Sequence, residues 1–87
     1  MSERWIEVEM SVASKWPSTA ESARRNRVIE RLDAIGIGTC TGAGGGMGKM
    51  DFSYRVADDV TAREAIALVM REVMPEIPFT IRVSPAT

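Results

Sequence analysis

The chain has 87 residues, eleven basic and twelve acidic side chains, a formal net charge of −1, one cysteine and no histidine. A chain of this length has room for a single domain with a modest core, and its near-neutral balance argues against a dedicated nucleic-acid binder. One cysteine excludes an internal disulfide, and the missing histidine removes the commonest general base and metal ligand together. The longest uncharged apolar stretch, Ala65 to Met70, is far shorter than the roughly 20 residues a membrane helix needs. The segment Met1 to Trp5 has no signal-like apolar run, so a reducing cytoplasm is the expected location.

Ile6, Val8, Met10 and Val12 alternate with Glu7, Glu9 and Ser11, the period of a strand with one buried and one wet face. Lys15-Trp16-Pro17 ends it, and Ser18 with Glu21 has capping-box spacing. A helix over 19–34 follows, with Val28, Leu32 and Ile35 on one stripe. All seven glycines then fall between Gly36 and Gly48. Gly36 suits the left-handed residue closing the helix, 37–41 a short strand, and 43–48 a flexible connection. Alternation returns at Lys49, with Met50, Phe52, Tyr54 and Val56 on one face. Thr61 and Glu64 repeat the capping-box spacing ahead of a stripe of Ala62, Ile66, Val69, Met70 and Val73. Pro75 and Pro78 stop that helix; Phe79, Ile81 and Val83 mark a last strand before a short tail over 85–87.

The order βαββαβ over 1–87, with right-handed crossovers, predicts a two-layer α+β plait in which both helices cover one face of an antiparallel sheet of strand order 4-1-3-2. The expected core sets Ile6, Val8, Met10, Phe52, Tyr54, Ile81 and Val83 against Val28, Leu32, Ile66, Val69 and Val73.

No residue set has the spacing of a metal or cofactor site, and no catalytic constellation is present. Gly48-Lys49 is followed by Met50, which breaks a phosphate-loop pattern, and no G-x-G-x-x-G run exists. Cys40 has no histidine to activate it, and Glu7 and Glu9 are expected to be held ionised between Arg55 and Arg82. Gly42, Gly44, Gly45, Gly46, Gly48 and Lys49 form the first binding candidate, since missing side chains let a partner approach closely. The bland alternative is a mobile hairpin tip and a glycine-rich edge strand. Arg24, Arg27 and Arg31 lie within about 60° on the first helix, a stripe able to take phosphate or carboxylate, or simply a solvated face paired with Glu21 and Glu30. Trp5 and Trp16 would anchor an interface if exposed, the alternative being that they simply pack at the terminus and loop.

The βαββαβ pattern resembles the ferredoxin-like superfold across the whole chain. The aromatics of its RNA-binding members, the Cys-x-x-Cys of its metal-transport members and the loop arginine of its acylphosphatases have no counterpart here. The run Thr41 to Gly48 followed by Asp51 is also similar to small bacterial proteins with a glycine-rich hairpin, some of them immunity partners of toxins. The expectation is a non-enzymatic protein-binding module, its partner another protein or a second copy, with no nucleic acid, membrane or cofactor. The alternative is a small-molecule or anion sensor using the loop amides and Lys49. Alanines at Gly44, Gly45 and Gly46 are expected to weaken binding and spare the fold.

Overall fold

A computed structural model describes residues 3–85. Strand β1 (Arg4–Ser11) is followed by α1 (Thr19–Ile35), β2 (Gly38–Gly46), β3 (Lys49–Val56), α2 (Asp59–Val73) and β4 (Phe79–Pro85). The sheet order is β2-β3-β1-β4, antiparallel throughout, so β1 and β3 are central and β2 and β4 are edges. This is the expected plait. Of the expected tail, Pro85 belongs to β4, and Ala86 and Thr87 lie outside the described residues.

Period-two alternation in β1 and β3 sorts their side chains. Ile6, Val8, Met10, Met50, Phe52, Tyr54 and Val56 are buried against Val28, Leu32, Ala62, Ile66, Val69 and Met70 from the two helices. Met74 completes this core, and Phe52 meets Tyr54 edge-on at 6.0 Å between ring centroids. Ile81, Val83 and Val73, expected in the core, are only half-buried, because β4 is an edge strand reached by one flank of α2.

The α1 cap is the capping box read from sequence: Ser18 Oγ accepts from Glu21 N–H, and Glu21 reaches back to Ser18 N–H. Gly36 closes the helix at φ 84°, the left-handed conformation glycine adopts without a Cβ penalty. Ile35 is 55% exposed, not part of the core stripe, since it stands at the last turn where the chain leaves for β2.

Two boundaries move. α2 starts at Asp59 and is capped by Asp58, whose carboxylate accepts from the Thr61 N–H and hydroxyl, so Thr61 is the capped residue and not the cap. The larger correction concerns the glycines. β2 runs to Gly46, paired with β3 through Gly46↔Lys49, and only Met47 and Gly48 form the turn. The stretch expected as a flexible connection is therefore mostly strand. Backbone pairing to β3 orders it, with a register shift between Cys40 and Gly42.

Candidate functional site

The glycine strand is built around its neighbour, the β1–α1 loop. A Cβ on Gly45 would stand 2.6 Å from Pro17 Cγ, and one on Gly46 2.7 Å from the Trp16 ring. Gly46 also has φ 147°, outside the reach of ordinary L-residues. These two glycines let Trp16-Pro17 lie directly on the strand. Backbone bonds fasten the same junction: Gly48 N–H donates to the Lys15 carbonyl at 2.9 Å, and Val12 N–H donates to the Gly48 carbonyl at 3.0 Å. The tip is thus tied down. Gly42 and Gly44 differ, because added Cβ atoms there would meet only Ser53 and Asp51 at ordinary contact distance. The expectation that alanines at Gly44, Gly45 and Gly46 spare the fold is corrected at Gly45 and Gly46.

Two large apolar side chains are exposed at this junction. Trp16 is 62% exposed and Met47, beside it at the turn, 77%. Met47 has φ 57° and Gly48 φ 81°, the positive pair that suits a two-residue hairpin. Asparagine or glycine fits the first of those positions; a methionine there carries a cost of about 1–2 kcal/mol.

Of the other predicted binding residues, Lys49, Arg24 and Arg31 have partners within the chain. Lys49 pairs with Glu9 at 3.2 Å. Arg24 forks onto Glu76, at 2.5 and 2.8 Å, and donates twice to the Val73 carbonyl. Arg31 meets Glu72 at 2.6 Å. The arginine stripe is therefore mostly a seam between α1 and the end of α2, and its partners are not the Glu21 and Glu30 expected from α1 itself. Arg24 holds the Glu76 carboxyl down to about 2, chiefly through that hydrogen bond. Arg27 remains exposed with no ion pair among the described residues. Arg25, which its sequence position did not single out, donates to the Gly44 carbonyl at 3.0 Å and covers part of the β2 edge. Its only signal in the sequence is a place on the helix that crosses over β2.

On the open face of the sheet, Glu7 pairs with Arg82 at 3.5 Å. Arg55 lies opposite Trp5 in the register, 5.6 Å from its ring centroid, and 3.8 Å from Glu3. The expected pairing of Arg55 with Glu7 and Glu9 is corrected, since Ser53 and Asp51 stand across from those residues. Cys40 faces the helix side opposite Tyr54, half-buried against the core. Among the described residues no three cysteines or carboxylates converge as a metal site, and no helix is long and apolar enough to cross a membrane.

Neither a protein-family model nor a curated protein matches the chain. Its fold is shared with an uncharacterised NIPSNAP-like domain protein from Burkholderia xenovorans, at TM-score 0.50 and 9% identity over 92% of this chain and 82% of that one. A hydantoinase/carbamoylase family amidase from Burkholderia ambifaria matches at TM-score 0.47 and 14% identity, over 99% of this chain but only 27% of the amidase. At 9% identity the likeness to the NIPSNAP-like domain protein is one of fold.

Proposed function

We propose that this chain is a non-catalytic protein-binding module whose contact surface is the Trp16–Met47 tip seated on the glycine strand. The observation that carries the reading is Met47: a large, 77% exposed apolar side chain at positive φ, where a smaller polar residue would serve the turn better. Next to it stands an exposed tryptophan whose ring has room only because residue 46 is glycine, with Pro17 seated likewise on Gly45. Tryptophan on a fixed backbone, with a flexible methionine beside it, is the chemistry of an interface anchor.

The anion-sensor alternative has less support, because the Gly48 amide and the Lys49 ammonium that it needs are engaged by Lys15 and Glu9. A toxin-neutralising role of the immunity kind is one form this function takes, with the tip covering a surface of the toxin.

Affinity capture from the source cells with the wild-type chain, Trp16→Ser and Met47→Asn tests the proposal. A protein retained by the wild type and lost by both variants is the expected result. Equal capture by all three overturns the tip as contact surface. A saturable thermal shift with inorganic phosphate that Lys49→Ala abolishes favours the anion reading instead.

A further inference from the structure

The opposite edge of the sheet carries a different kind of surface. Between α2 and β4 lies an open groove of about 340 Å³, lined by Val60, Arg63, Glu64, Ala67 and Ile81. On β4, Phe79, Ile81 and Val83 share the helix side but are only half-buried, whereas their counterparts on β1 and β3 are fully buried. Val60 is 60% exposed at the groove's end. The core is open along this side.

The two edges are also defended unequally. β2 has a register shift and an arginine on one of its carbonyls. β4 pairs with β1 in unbroken register from Arg4↔Pro85 to Met10↔Phe79, carries no inward-pointing charge, and has no strand on its outer side. An edge left this way is a template for another strand.

We propose that the occupant is a second copy of this chain, with the two β4 strands pairing antiparallel about a two-fold axis and each copy closing the other's groove. The sequence of β4 selects the register. Centred on Ile81, the pairing sets Ile81 against Ile81, Phe79 against Val83 and Thr80 against Arg82. Apolar residues then stay on the helix side in both copies, and the two arginines are kept apart. Centred on Arg82, the same strands would oppose like charges. The two-fold lays the α2 helices antiparallel across the joined groove, where the small Ala67 lets them approach. Arg63 of one copy is then directed toward Glu64 of the second copy. Neither residue has an ion-pair partner within the chain among the described residues. Such a contact uses the same patch twice, as closed dimers do.

Sedimentation velocity over a concentration series, with hydrogen exchange read at both ends of it, tests the proposal. The expected result is a monomer–dimer equilibrium in which the β4 amides gain protection as the dimer forms. Ala67→Arg should abolish association. Arg63→Glu should weaken it roughly tenfold or more by opposing like charges, and the double swap R63E/E64R should restore it. Circular dichroism identifies any variant that fails to fold, and the charge cycle, confined to exposed residues, decides the matter if Ala67→Arg is one of them. A chain that stays monomeric throughout the series overturns the proposal. So does a dimer indifferent to the charge cycle whose β4 amides exchange equally fast at every concentration. Trp16→Ser lies at the far edge and should leave the equilibrium unchanged.

Discussion

The Tyr54 hydroxyl shows how much a single buried polar atom constrains. It lies 2.7 Å from Asp33 Oδ1 and 3.1 Å from the Ile29 carbonyl, joining β3 to α1. Burial, and then the Asp33 carboxylate, push the phenol far above its ordinary value of 10.0. Only the unfolded chain then ionises it readily, so its contribution to stability is complete below that ordinary value and declines as pH rises past it. Tyr54→Phe should cost about 1 kcal/mol at neutral pH and flatten the alkaline loss of stability, as read by urea titration at several pH values. The glycines divide just as sharply. Gly42→Ala should be neutral or stabilise by up to about 1 kcal/mol, because the new methyl meets only the Ser53 hydroxyl at ordinary contact distance and trims the unfolded ensemble. Gly46→Ala should destabilise by about 1–3 kcal/mol and alter tryptophan emission as the ring is displaced. Identical residues in the sequence thus have opposite roles, and nothing within 42–48 distinguishes them. The distinction lies in Trp16 and Pro17, which are remote in the chain and contact only two of the glycines.

At the scale of elements, the strands and helices with strong periodicity were legible because burial imposes the period directly. β1, β3 and α1 follow their patterns of Ile6-Val8-Met10, Phe52-Tyr54-Val56 and Val28-Leu32. β2 was not legible to its end, since Gly42 to Gly46 have almost no side chains to alternate, and its order comes from pairing with β3. The start of α2 was misread because Thr61–Glu64 matches a cap spacing one turn inside the helix, while Asp58 supplies the bonds. Asp58→Ala should therefore lower the urea midpoint more than Thr61→Ala does. The helix seam was missed for a similar reason: the partners of Arg24 and Arg31 are Glu76 and Glu72, some fifty and forty residues away. Glu76 is held near 2 in the folded chain against an ordinary 4.5, so the stability from its pair is present above 4.5 and is lost as pH falls toward 2. Glu76→Gln should shrink the difference in melting temperature between neutral pH and pH about 3, a change that differential scanning calorimetry would read directly.

For the molecule as a whole, topology followed from element order and the handedness of crossovers, which leave few alternatives once βαββαβ is read. The candidate surface was only half legible: an exposed Trp16 was foreseeable from a loop sequence, but its seat on the glycines was not. The sheet order also governs how the chain can assemble. β1 is flanked by β3 and β4, with Met10 against Met50 and Arg4 against Pro85, so the centre of the sheet closes only through contacts between distant parts of the chain. The one pairing that could form locally, β2 with β3, has a strand whose glycines lose the most conformational freedom on ordering. The easiest contact to reach is thus a poor place to start. Folding should accordingly be slow for so short a chain, in the millisecond-to-second range typical of non-local pairing. Stopped-flow kinetics should show Phe52→Leu slowing refolding, and Gly42→Ala acting almost wholly on the unfolding rate.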